Sequence, residues 1–320
     1  MEKPGNGDVI VVGSGVVGLT TAVVLAEAGR RVRVWAREPA ERTTSAVAGA
    51  LWWPYRIEPK ALARAWALVS LSVYEELAAR PGETGVRLVE GVMGETRLDE
   101  LGAWAARVPG LRAATAEEYP GTALRARLPL IDMPVHLRLL RERLLRAGGT
   151  VEERTVTDLA EARAPVVVNC AGLGARALVP DPAVRPVRGQ LVIVENPGIR
   201  EWLVSTDPAA GTTTYVFPQP DRLVLGGTTD EDDWSQVPDP DVAAEIVQRC
   251  AALRPEVAGA LVLDHRVGLR PVRHEVRLER EVLPDGRVLV HNYGHGGAGV
   301  TVAWGCAREA AGLVGPTASV

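Results

Sequence analysis

The segment Asp8-Val9-Ile10-Val11-Val12, almost wholly apolar, leads straight into Gly13-Ser14-Gly15-Val16-Val17-Gly18 and then into small and apolar residues at helical spacing up to Gly29. No other feature narrows the fold so far. In a buried strand that enters a glycine turn and leaves as a helix, each glycine has a task. The first permits the tight turn, the second lets backbone approach a pyrophosphate, and the third lets the helix pack on the strand while its N-terminus faces the anion. A second strand over residues 32–35 completes a βαβ unit of about 30 residues, with parallel strands and a right-handed crossover. The spacing predicts an α/β domain that binds a dinucleotide through Gly13, Ser14, Gly15, Val16, Val17 and Gly18. At the end of the second strand, where an acidic side chain would hold ribose hydroxyls, the chain reads Ala36-Arg37-Glu38. Glu38 suits that role and Arg37 suits a 2′-phosphate, so a flavin and an NADP-type cofactor both stay open at this point.

Helical spacing recurs over residues 60–79 and 133–147, and Val166-Val167-Val168-Asn169-Cys170 reads as a central parallel strand rejoining the first sheet. After Pro186 the character changes to short strands at 190–195, 213–217, 222–225, 277–282 and 288–291, separated by Pro, Gly and Asp turns. That spacing predicts an antiparallel sheet, interrupted by a helix over 240–253 and followed by a last helix from Gly299 to about residue 313. The 320 residues suffice for two domains. With 36 basic against 40 acidic residues the chain carries no positive field for nucleic acid or an anionic membrane surface. It also lacks an apolar run of membrane-spanning length and a secretory leader. Cys170, Cys250 and Cys306 are widely spaced and form no CxxC pair, so buried thiols are expected in place of a zinc site or a disulfide. The expected partner is a small molecule, in the cytoplasm, with no metal.

The run Leu289-Val290-His291-Asn292-Tyr293-Gly294-His295-Gly296-Gly297-Ala298-Gly299, with Gly305-Cys306-Ala307 after it, closely resembles the signature of the D-amino-acid oxidase family. Three further pieces agree in order and spacing. Thr43, Thr44, Ser45, Gly49, Ala50, Leu51 and Trp52 with Pro54-Tyr55 look like the family's flavin-contacting loop, Asn169-Cys170-Ala171-Gly172 like its third nucleotide element, and Gly268-Leu269-Arg270-Pro271-Val272-Arg273 like its substrate-arginine strand. The resemblance implies non-covalent FAD and two domains: a Rossmann-like FAD-binding domain made of 1–50, 131–187 and 274–320, and an antiparallel-sheet substrate domain made of 51–130 and 188–273. It implies oxidation of a D-amino acid by hydride transfer from Cα to flavin N5, reoxidation by oxygen to hydrogen peroxide, and hydrolysis of the imine to a 2-oxo acid and ammonia. A homodimer would be usual for such folds. Rival readings are a glycine or sarcosine-type amine oxidase, an NADP-dependent reductase, and a flavin-binding protein without catalysis.

A guanidinium is the side chain whose planar fork binds a carboxylate through two parallel hydrogen bonds. By resemblance Arg270 does so for the substrate, although an arginine taken alone is more often a surface ion pair. Tyr215 would add a hydrogen bond to the same carboxylate, and the Gly297 carbonyl would hold the amine. Leu51, Trp53, Tyr55 and Phe217 would wall the pocket. Gly294, Gly296, Gly297 and Gly299, with Val300, Thr301 and the positive end of the last helix, would sit against the flavin ring, and Gly172 would bind the cofactor as part of the third nucleotide element. His291 and His295 are not needed as acid or base, because the matching family has none. Trp53 is larger than its counterpart in some members, and the segment 206–212 is shorter than the active-site lid of some relatives. No Arg or Lys occurs from Thr206 to Phe217, which favours neutral over acidic substrates. The ending Ala318-Ser319-Val320 is not a peroxisomal address.

Overall fold

The computed structural model describes residues 8–207 and 212–315; most of the lid segment and the C-terminal tripeptide lie outside the described residues. Fourteen strands form one mixed sheet. The first seven are β1 (Asp8–Val12), β2 (Arg31–Ala36), β3 (Val86–Gly94), β4 (Arg112–Ala113), β5 (Ala123–Ile131), β6 (Thr150–Glu153) and β7 (Val166–Asn169). The others are β8 (Arg185–Glu195), β9 (Trp202–Asp207), β10 (Thr212–Pro218), β11 (Arg222–Gly226), β12 (Asp230–Glu231), β13 (Val262–Val282) and β14 (Val288–His295). The long helices are α1 (Val16–Glu27), α2 (Lys60–Leu77), α3 (Met133–Arg146), α4 (Pro240–Leu253) and α5 (Gly299–Val314).

At one end of the sheet, β14, β7, β1, β2 and β6 lie side by side, all parallel. Val9, Ile10 and Val11 are completely buried, as continuous apolar strands must be when both faces are covered. Helix α5 packs against both α1 and α2, with the βαβ unit where the glycine spacing predicts it.

The other end is antiparallel in most of its pairings, through β5 and β3 and then β9, β10, β11, β8 and β13. Three expectations need correction. The β3–β9 pair is parallel. The strand expected at 288–291 is not confined to the antiparallel sheet, because β14 runs parallel to β7 while facing β13 antiparallel. The pieces expected at Gly268–Arg273 and 277–282 are one strand of 21 residues, which pairs with β8 over its first half and with β14 over its second. Pro271 lies opposite Pro186 beside the point where β13 changes partner, so the missing N–H groups interrupt no continuous ladder.

The division into a cofactor and a substrate domain is a proposal that meets this continuity directly. Its boundaries at 130/131, 187/188 and 273/274 fall inside β5, β8 and β13. No helix among the described residues is long and apolar enough to cross a membrane.

Candidate active site

The carboxyl ends of all five parallel strands open onto one cavity of about 1270 Å³, larger than the roughly 300–1,000 Å³ of ordinary small-molecule sites. In open α/β sheets this is where ligands bind. The wall is built from Val12 to Gly18 after β1, Ala36 to Glu38 after β2, Arg154 to Thr157 after β6, Cys170 to Gly174 after β7, and Gly296 and Gly297 after β14.

The glycine cradle is held as its chemistry requires. Gly13 has a φ of +114°, and a Cβ there would stand 2.4 Å from the Cys170 carbonyl oxygen. At Gly18 a Cβ would meet the Gly13 carbonyl oxygen at 2.0 Å. Helix α1 starts with Gly15 as its N-cap, contributes no capping side chain from it, and has no acidic residue in its first turn. A positive helix end therefore faces the cavity free of an internal anion, which fits a pyrophosphate. Ser45 Oγ accepts from Val16 N–H at 2.9 Å and ties the 43–55 segment to the cradle. Arg37 and Glu38 both line the cavity, paired to each other at 3.2 Å.

At the other end of the cavity Arg270 stands on β13. Its Nη1 donates to the Thr228 carbonyl at 3.0 Å and to the Arg188 carbonyl at 3.4 Å, leaving the remaining guanidinium N–H groups for a ligand. Among the described residues it has no carboxylate partner, so the surface ion-pair reading is not the one realised there. A Cβ on Gly297 would lie 3.5 Å from Arg270 Cδ and 3.6 Å from the Tyr55 ring. The Tyr215 ring stacks on Phe217 at 4.6 Å. Burial pushes the Tyr215 phenol up to about 12, against the opposing pull of the Arg270 charge, so its hydroxyl stays a donor. Thr301 Oγ1 donates to the Trp53 carbonyl at 2.9 Å, joining the start of α5 to the pocket wall.

Of the candidate site residues, all but Gly294 line this cavity, and of the motif residues quoted with them Trp52, Pro54, Asn169, Val272 and Arg273 also stand outside it. Gly294 has a φ of +86°, and a Cβ there would meet Arg273 Cβ at 2.8 Å; it is a glycine of β14 pressed against β13. Trp52 is fully buried, with its indole N–H donating to the Ala67 carbonyl, while Cys170 both is buried and borders the cavity. His295 borders the cavity too, its pKa lowered to about 4 by burial. Burial also lowers that of His291. Glu279, Glu281 and His291 bring potential metal-ligand atoms within 4.8 Å of one another, and Arg277 already ion-pairs both carboxylates.

Sequence reasoning missed Arg154 to Thr157, Gly189, Thr228 and Thr229. The glycine pair Gly226-Gly227 immediately before Thr228 was the available signal for the last two, and β6 was too short to read.

Residues 8–313 match the family described as DAO, FAD dependent oxidoreductase. The chain is 77% identical to a D-amino-acid oxidase of Streptomyces coelicolor over 98% of both chains. It is 50% identical to one of Rubrobacter xylanophilus, covering 97% of this chain and 96% of the relative, and 36% identical to a human D-aspartate oxidase, covering 96% and 94%. Among solved structures, a glycine oxidase from Geobacillus kaustophilus superposes with a TM-score of 0.81 at 21% identity, over 96% of this chain and 94% of that one, which speaks for the fold alone. The match replaces the nicotinamide alternative that Arg37 had raised. With a family match across nearly the whole described chain, and a relative three-quarters identical along its length, the protein belongs to the DAO family of FAD-dependent oxidoreductases and its cofactor is FAD.

Proposed function

We propose that this protein is a D-amino-acid oxidase acting on neutral substrates. The observation that carries the reading is Arg270: a guanidinium tethered through one nitrogen, without a carboxylate partner among the described residues, at the far end of a dinucleotide cavity. Arg270 takes the substrate carboxylate through its free N–H groups and Tyr215 donates a further hydrogen bond. The Gly297 carbonyl accepts from the neutral amine. Three fixed points aim one face of Cα, and with it one enantiomer's hydrogen, at the cofactor. FAD held by Gly13 to Gly18 and by the segment from Gly296 to Thr301 would supply the two-electron acceptor for the Cα hydride, with oxygen as the final acceptor, reduced to hydrogen peroxide. As the hydride leaves, the amine lone pair forms the C=N bond, and water then converts the iminium to the 2-oxo acid and an ammonium ion.

Leu51 and Phe217, both nearly buried, and the partly buried Trp53 and Tyr55 wall off water. His295 stays neutral and neither gives nor takes a proton. The other cavity-lining cations, Arg37, Arg42, Arg154 and Arg176, belong to the segments that follow β2, β6 and β7, which supports a neutral side-chain pocket around Tyr215. Oxygen as final acceptor and a homodimer belong to the same proposal by family resemblance, with a cytoplasmic setting as its default.

The test is anaerobic mixing of the yellow protein with D-methionine, L-methionine, D-aspartate and glycine. Bleaching of the flavin band by D-methionine ahead of the other three is expected. Faster bleaching by D-aspartate would sink the neutral preference, and bleaching by glycine alone would select the glycine-type amine oxidase.

A further inference from the structure

Arg188, on β8, is nearly buried, with its side chain 5% exposed, and it does not line the cavity. Its guanidinium is spent on the connection between β11 and α4. Nε donates to the Ser235 carbonyl at 3.2 Å, Nη1 to Asp230 Oδ2 at 3.1 Å, and Nη2 to the Val237 carbonyl at 2.8 Å and to Gln190 Oε1 at 2.9 Å. Gln190 clasps the end of the same segment, accepting from Asp239 N–H at 2.9 Å and donating to the Asp239 carbonyl at 2.6 Å. That segment carries Thr228, Thr229, Trp234 and Gln236, all of which line the cavity.

The fastening reaches Arg270 by a continuous path. Asp230 Oδ2, held by Arg188, also accepts from the Thr228 hydroxyl at 2.8 Å, and Gln190 N–H donates to that hydroxyl at 3.1 Å. The Thr228 carbonyl accepts from Arg270 Nη1 at 3.0 Å, and the carbonyl of Arg188 itself accepts from the same nitrogen at 3.4 Å.

We infer that Arg188, acting with Asp230 through Thr228, is a positioning residue that aims the Arg270 guanidinium at the substrate carboxylate. The sequence supplies the reason a cation is needed. Asp230, Glu231, Asp232 and Asp233 are consecutive, and such a run repels itself unless it is neutralised. Arg188 faces Asp230 and Asp233, and Arg185 faces Glu231 and Asp232. Without Arg188 the run relaxes, the Thr228 carbonyl shifts, and ordering Arg270 becomes a cost of substrate binding.

The inference rests on Arg270 being the carboxylate anchor, so the test is a double-mutant cycle on the holoenzyme with D-methionine, reading flavin content, kcat and KM. Arg188→Met is expected to lower kcat/KM about tenfold or more, chiefly through KM, with flavin content unchanged and Arg188→Lys recovering part of the loss. In an Arg270→Met background the same substitution is expected to cost less than about threefold, because its target is gone. Losses that multiply in full would make Arg188 merely structural and overturn the inference, as would an unchanged kcat/KM. Should Arg188→Met fail to fold, Asp230→Asn, on a partly exposed carboxylate, carries the same cycle and the same criteria. If Arg270→Met alone leaves kcat/KM within about twofold, the anchor reading itself falls. A large loss in Arg270→Met beside an unaffected Arg188→Met removes only the positioning role.

Discussion

Gly189 lacks a side chain where Arg270 needs the room: a Cβ at that position would lie 2.4 to 2.6 Å from three atoms of the guanidinium. Gly189→Ala should therefore displace the guanidinium while leaving the distant glycine cradle alone. The expected outcome is a fall in kcat/KM of about tenfold or more with an unchanged flavin-to-protein ratio, and simultaneous flavin loss would count against so local a cause. A second prediction concerns two buried imidazoles. Burial lowers His136 and His295 to about 4, below the ordinary value near 6.5. Between those values the unfolded chain takes up protons that the native state refuses, so stability present above about pH 6.5 is lost as pH falls toward 4, by roughly 3 kcal/mol for each group. His136 Nδ1 donates to the Thr84 carbonyl at 3.0 Å when the ring is neutral, a bond that asparagine can retain. Thermal unfolding of His136→Asn across this window should give a shallower pH slope, and an unaltered slope would mean that this histidine protonates in the native state. Arg270 was readable because its neighbours form a motif, whereas Gly189 was not, because its partner arrives from β13, about 80 residues away, through a register that local sequence does not encode.

Helices α2 and α5 meet at Gly305, where a Cβ would come within 2.4 Å of both the Cα and the carbonyl oxygen of Trp66. Ser70 Oγ accepts from Gly305 N–H at 3.1 Å, the Tyr74 hydroxyl donates to the Val300 carbonyl at 2.8 Å, and the Trp66 indole donates to Glu309. The pair thus acts as a buttress for the first turn of α5, which lines the cavity with Val300 and Thr301. Gly305→Ala has backbone in its way, and backbone does not rotate aside. Stability should drop by about 1 to 3 kcal/mol, together with weaker FAD retention, as read by denaturant titration and by flavin released on dilution. A stability loss with FAD affinity untouched would uncouple the buttress from the site. Periodicity located α2 to within two residues at either end, and the glycine-rich loop marked the start of α5, whose first half is buried continuously from Val300 to Ala307, but which helix faces which is a tertiary fact. β6 went unread because Thr150–Glu153 offers only Val151 as an apolar residue, and with it went Arg154 to Thr157 of the cavity wall. β13 was read in pieces because it is partly exposed and rich in charge along its second half, which leaves little alternation to follow.

Across the whole molecule, the cavity draws its wall from residue 12 to residue 301, so the cofactor joins segments that meet only when the chain is folded. β5, β8 and β13 run through both proposed domains, and the two halves should therefore unfold together in one transition. A ligand that binds only the native state stabilises it by mass action, about 2.7 kcal/mol at a concentration one hundred times its Kd. Removing FAD should accordingly lower Tm by roughly 4 °C for a protein of this size, and titrating FAD back should raise it progressively with free concentration. Gly13→Ala separates binding at the cradle from any general effect of FAD. Its Cβ would fall on the Cys170 carbonyl, and its φ of +114° is one that alanine rarely adopts. In that variant Tm should be lower than in the parent apoprotein and insensitive to added FAD over the range that restores the parent. A Tm that still climbs with FAD would place the pyrophosphate somewhere other than this turn, whereas a parent apoprotein as stable as the holoenzyme would mean that the cavity forms without energetic linkage to its cofactor.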